Sequence, residues 1–444
     1  MFSWFRQTCP VDFKHKVWIE YRLRFLVQRL GTDRIIVDDV LIPTPNAIPE
    51  LAPGKTPDIE SLSQRLCDHL KIDRSGLTIE VADELPLDNA SGVYRQENRS
   101  ILLRSSLLDE PAQLLATLIH ELLHDLLLQG GILTGDESDH EQMTDLAACI
   151  VGCGIPLANA TIQFQSGYVG GWSWWQTSRS GYLSSPEFGY ALALCCWWKE
   201  VERPPSWSEY LRLDAREPLQ KGLKFLHHTS DSLFRRGSSG GLDIPRESDH
   251  QRILRDGSNT EILGTLWDAI NEEFFVDGER VCDLLQHAEP QIRCAACDFL
   301  TEHHVTEAAG DALSMTTVDP HPEVRASGTY AFVRGYPNYR DAARIVRRSL
   351  QDSETGVVRA TLSALFDSPK WNDSIEISVL DVLAASVLSN RGVEPEMVLG
   401  LLLKKTVDLD HKIRDRLSDP TYAVELATVL QTLRNLRSDT PTQS

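Results

Sequence analysis

Residues Asp109–Gly131 read DEPAQLLATLIHELLHDLLLQGG, and the rest of the chain is arranged around them. Apolar residues fall in pairs at 114/115, 118/119, 122/123 and 126/127, which is helical spacing. Asp109 is placed to cap the helix, Pro111 suits its first turn, and Gly130-Gly131 stops it. The one polar stripe carries His120, Glu121, His124 and Asp125. Within it, His120-Glu121-Leu122-Leu123-His124 is an HExxH motif. The four-residue offset stacks the two imidazoles on one face, where they can grip a divalent cation, and leaves Glu121 beside it as a general base. Four ionisable groups on an otherwise apolar helix are costly unless something compensates them, and a bound cation would.

Two histidines do not complete a catalytic zinc site, which takes three protein ligands and an open position. The next capped helical pattern, Asp136–Gly152, carries Glu141-Gln142-Met143-Thr144-Asp145, with Glu141 and Asp145 four apart on one face. His140, Asp125, Asp136 and Asp139 are rival donors nearby, although His140 and Glu141 point about 100° apart on a helix, so only one of them should face the metal. The intervening Gly130-Gly131-Ile132-Leu133-Thr134-Gly135 provides a chain reversal.

HExxH followed by a helix carrying ExxTD resembles the gluzincin clan of zinc metallopeptidases, over Gly92 to Gly152. The resemblance implies Glu141 as the third zinc ligand and Asp145 as the acceptor that holds the His120 tautomer. It implies peptide-bond hydrolysis by a zinc-activated water, with Glu121 as general base. It also implies a Tyr or His donor for the oxyanion. Tyr182, in the aromatic stretch 159–189, is the candidate, with Tyr168 and Tyr190 as rivals. In zincins a strand just before the HExxH helix pairs with an extended substrate. Tyr94 or Ile101–Leu103, in the hairpin expected over Gly92–Leu103, would lie on that edge.

The 444 residues exceed one compact core. Upstream, helices are expected at 14–30 and 58–70, and strands at 35–37 and 77–81. Residues 236–259 are polar and glycine-rich, the expected linker. Beyond them, Glu289–Ala296, His321–Gly328 and Thr355–Thr361 share a polar turn, a β-branched residue, an arginine and small residues. Arg293, Arg325 and Arg359 recur at about the period of stacked helix pairs. This resembles HEAT-type repeats. The expected architecture is therefore an α+β zincin-like domain over 1–235, an all-α HEAT-like solenoid over 260–436, and a disordered tail over 437–444.

A net charge of −20 and a pI near 5.1 argue against non-specific nucleic-acid binding and against an anionic membrane surface. No apolar run reaches the length of a membrane span. Nine cysteines without paired CxxC motifs suit structural thiols in a reducing cytoplasm. The expected protein is a cytoplasmic zinc metallopeptidase whose repeats recruit a protein substrate or partner. The alternatives are an inactive zinc-binding scaffold or sensor, and a zinc hydrolase of non-peptide amides.

Overall fold

The computed structural model describes residues 8–368, except 53, 55, 87–89, 136, 166–182, 235, 237–246, 273–275 and 304–305. The chain divides into two compact units, Met1–Ile244 and Pro245–Ser444. The first mixes helices with a small sheet, and the described part of the second is helical. Among the described residues no helix is long and apolar enough to cross a membrane. All nine cysteines are free thiols.

The first unit opens with α1 (Phe13–Leu30), where Asp12 accepts the N–H of His15, and α2 (Ile59–Leu70), where Asp58 accepts that of Ser61. The sheet follows: β1 (Thr78–Ala82), β2 (Gly92–Arg95) and β3 (Ser100–Arg104). Next come α3 (Pro111–His124), α4 (His140–Ile150), α5 (Gly154–Gln165), α6 (Ser185–Trp198) and α7 (Leu213–Thr229). The strand expected at 35–37 does not form. Those residues are bend and coil, and Ile36 N–H bonds singly to the Ile150 carbonyl. The aromatic stretch 159–189 is helical at both ends, in α5 as far as Gln165 and in α6 from Ser185.

The sheet has three strands in the order β1-β3-β2. β3 pairs parallel with β1 and antiparallel with β2, with Gly92 opposite Leu103 and Tyr94 opposite Ile101. Ile101–Leu103 therefore cannot offer an edge, because both sides of β3 are paired. The edge nearest the motif helix is β2, which packs on α3.

α3 lies in the core, and Leu114, Leu115, Leu118, Ile119, Leu122, Leu123 and Leu127 are fully buried. Each such side chain stabilises the fold by roughly 1.5–3 kcal/mol. Asp109 is not the cap: it ends a 3₁₀ turn over Ser105–Asp109, and the helix starts at Pro111 with Glu110 before it. After His124 the helix widens into a π turn, Asp125–Gln129, before the chain reverses at Gly130-Gly131.

In the second unit, Glu247–Asp256 forms α8, so the linker expected over 236–259 is in part helix. Next come α9 (Asn259–Glu272), α10 (Gly278–Leu284), α11 (Pro290–Glu302), α12 (Glu307–Thr316), α13 (Pro322–Gly335), α14 (Ala342–Ser349) and α15 (Thr355–Asp367). α9, α11, α13 and α15 pack in sequence, each on the next, while α10 packs on α11 and α12 on α13. Two of the recurring arginines, Arg293 and Arg325, make equivalent bonds. Arg293 forks onto Asp319 at 2.9 Å through Nε and Nη2, and its Nη1 donates to the carbonyls of His287 and Ala288. Arg325 forks onto Asp352 at 2.8 and 3.0 Å, and its Nη1 donates to the carbonyls of Asp319 and Pro320. Each arginine thus closes the turn before its own helix and ties it to the next turn. Residues 369–444, with the remainder of the expected repeats and the tail, lie outside the described residues.

Candidate metal centre

The site is built by α3 and α4, which pack against each other after the reversal at Gly130-Gly131. His120 and His124 are one turn apart on α3, and Glu141 stands in the first turn of α4. Asp139, the residue before α4, makes no side-chain cap bond to it. Its carboxylate is held instead by Arg22, at 2.7 and 3.0 Å, and by Trp18 Nε1 at 3.0 Å. Asp139 therefore ties α4 to α1 and is no donor to the site.

Nε2 of His120 and Nε2 of His124 lie 3.1 Å apart. Glu141 Oε2 lies 2.9 Å from the first and 3.2 Å from the second. Both histidines are buried and Glu141 is half-buried. Two imidazole nitrogens and a carboxylate oxygen on so small a triangle fit a tetrahedral cation, whose donors sit about 3.4 Å apart when bonds are about 2.1 Å long. Among the described residues this is the one group of His, Cys, Asp and Glu side chains that could hold a metal ion.

The outer nitrogens are engaged too. Asp145 Oδ1 accepts from His120 Nδ1 at 3.1 Å, and Asp145 Oδ2 accepts the backbone N–H of Leu183 at 3.0 Å. The Thr144 hydroxyl donates to the His140 carbonyl at 2.8 Å, leaving a lone pair for His124 Nδ1 at 3.3 Å. With protons on both Nδ1 atoms, both Nε2 lone pairs face inward. Asp145 is where the ExxTD pattern puts it. The role of Thr144 was not read from the sequence, although its position three residues after Glu141 was a usable signal.

His140 does not join the triangle. Its Nδ1 donates to the Glu137 carbonyl at 2.8 Å, and its Nε2 lies 3.3 Å from Glu141 Oε1, the oxygen turned away from the other two rings. Asp125 is likewise committed elsewhere. Arg99 grips both of its oxygens at 2.9 Å, and the Tyr94 hydroxyl donates to one of them at 2.9 Å. Asp136 lies outside the described residues, as do Tyr182 and Tyr168. Tyr190 is buried in α6 with its hydroxyl donating to Glu20 at 2.6 Å.

The electrostatics favour positive charge at the triangle. Burial opposes a charge on His120, but Asp145 and Glu141 outweigh it and hold its pKa well above the ordinary value. Burial also works against the Glu141 carboxylate, yet His120, His124 and His140 together hold its pKa far below the usual range. Burial pushes the Asp145 carboxyl up, against the pull of His120.

Glu121 is buried beside these groups. Burial raises its pKa, His124 and His120 draw it down, and the backbone N–H of Tyr94 donates to it. The edge strand reaches this close because residue 92 is glycine. A Cβ there would stand 2.7 Å from Thr117 Cγ2 and 2.8 Å from Glu121 Oε1. Arg104 N–H bonds to the Ser91 carbonyl. Antiparallel alternation then turns Val93 and Arg95 toward β3, and Gly92 and Tyr94 toward the free edge. That agrees with Tyr94 N–H facing Glu121.

No family model, curated protein or solved structure matches the chain.

Proposed function

We propose that the first unit is a zinc-dependent metallopeptidase of the gluzincin type, and that the second is a HEAT-type repeat module that recruits its protein substrate or a protein partner. One observation carries the reading: His120, His124 and Glu141 converge while Glu121, on the same helix face, is left out of the triangle. A structural metal site would have no use for a buried carboxylate beside it.

The donor set, two imidazoles and one carboxylate, suits zinc among the common divalent ions. When bound, the ion supplies Lewis acidity toward water and the scissile carbonyl. Glu121 takes the proton of the attacking water and returns it to the leaving amine, a role helped by the burial that raises its pKa. Tyr94 N–H orients its carboxylate. Asp145 and Thr144 hold the two imidazoles in the donor tautomer. The free edge of β2, at Gly92 and Tyr94, is suited to an extended peptide laid beside Glu121. The paired arginine–aspartate bonds at a repeating interval support the repeat module.

Metal analysis of the wild type and of Glu141→Ala and His140→Ala, with peptide-library cleavage by the wild type and Glu121→Gln, tests the reading. Zinc kept in Glu141→Ala but lost in His140→Ala would sink the ligand assignment. No cleavage by the zinc-loaded wild type would favour an inactive zinc-binding scaffold, and equal cleavage by Glu121→Gln would remove Glu121 from the role of general base. Cleavage of small amides but not of peptides would favour a non-peptide hydrolase.

A further inference from the structure

The polar face of α3 does not end at the metal donors. Gln113 and Thr117 continue it toward the helix start, at four-residue steps from Glu121. They are 7% and 3% exposed, and neither Gln113 Oε1 nor Thr117 Oγ1 has a hydrogen-bond partner. The other polar groups of this stripe do: His120 has Asp145, Glu121 has Tyr94 N–H, His124 has Thr144, and Asp125 has Arg99. Buried polar atoms are normally satisfied, and one left bare lowers stability. Valine at 117 and leucine at 113 would fill these positions without that penalty, on a helix already rich in leucine. Among the described residues nothing partners these two atoms, which leaves them open to a hydrogen-bonding ligand.

Their place shows what that partner is. Thr117 and Glu121 both abut the edge strand at Gly92. At about 1.5 Å per residue, Thr117 and Gln113 stand about 6 and 12 Å along the helix from Glu121. An extended peptide covers those distances in about two to four residues. We infer that Gln113 and Thr117 form a recognition subsite for a hydrogen-bonding side chain of the substrate, an amide or hydroxyl, two to four residues from the hydrolysed bond. The inference rests on the peptidase reading above. Both atoms are closed to solvent in the ligand-free chain, so binding opens only the contact between Gly92 and Thr117, with Tyr94 N–H still on Glu121.

The test uses zinc-chelating peptide hydroxamates in which each position carries glutamine or methionine, titrated calorimetrically into the zinc-loaded full chain. Wild type should prefer glutamine at one position by about tenfold or more, since a site built to hydrogen-bond rejects an analogue that cannot. Thr117→Val and Gln113→Leu should lose that preference with zinc content unchanged. Without ligand, Thr117→Val should melt higher than wild type. Binding with no glutamine preference, a preference that both variants keep, or a lower melting temperature for Thr117→Val overturns the subsite alone. Failure of every hydroxamate to bind the zinc-loaded chain overturns the peptidase reading, and the subsite with it.

Discussion

Asp145 joins two parts of the chain through one carboxylate: Oδ1 lies 3.1 Å from Nδ1 of His120, and Oδ2 accepts Leu183 N–H at 3.0 Å. The first bond orients the His120 ring, and the second anchors the carboxylate to the segment leading into α6.

Asp145→Asn keeps the shape but lets the amide face His120 either way, so the Nε2 lone pair is no longer imposed. Zinc affinity should fall by about 10–100-fold, as for other residues that orient metal ligands. Competition with a calibrated chelator measures it. An unchanged affinity would show that Asp145 merely packs.

The Arg99–Asp125 pair holds the hairpin to the helix. Arg99 also donates to the carbonyls of Asp73 and Ser75, while Asp125 is 2% exposed. Arg99→Met leaves a buried carboxylate short of its cation, and should destabilise the fold by about 3 kcal/mol. Urea unfolding checks this. Asp125→Asn in the Arg99→Met background should recover part of the loss, because the uncompensated charge is gone.

Gly92→Ala should separate folding from chemistry. The added Cβ meets side-chain atoms of Thr117 and Glu121, which can yield by rotating. A cost of about 1–3 kcal/mol is expected, typical of overpacking. Glu121 would be pushed off its bond to Tyr94, so hydrolysis should suffer more than stability does. A variant with wild-type turnover would show that the strand does not position Glu121.

The second unit should lose stability in acid through Asp352. Burial pushes this carboxyl up, but Arg325 and the N–H of Glu354 outweigh it, so its folded pKa lies below the ordinary 3.8. A depressed carboxylate stabilises the folded chain above its unfolded pKa, and that contribution disappears as pH falls through the folded value. The melting-temperature gap between wild type and Arg325→Met should be open at neutral pH and narrow below 3.8. A gap that does not change with pH would show that the ion pair contributes nothing.

The sequence alone disclosed the helix with its buried leucines, the His120–His124 spacing, the hairpin and the repeating arginines. These features follow from local periodicity and turn chemistry, which act over one or two helical turns. Boundaries were less legible. Asp109 looks like a cap, but α3 begins at Pro111, because a 3₁₀ turn over Ser105–Asp109 takes the place of a cap worth about 1 kcal/mol. The expected strand at 35–37 is apolar enough, yet it found no partner strand.

Tertiary structure decided the rest. Periodicity shows that a residue lies on a face but not what meets that face. It could not rank Glu141 against His140, Asp139 and Asp125. The packing of α4 on α3 brings Glu141 to the two rings, while Arg22 takes Asp139 and Arg99 takes Asp125. Nor could it show that β3 is central and β2 the edge, since strand order depends on pairings between distant segments. The two His Nε2 atoms and Glu141 Oε2 meet within about one hydrogen-bond length because a chain reversal returns one short helix across another.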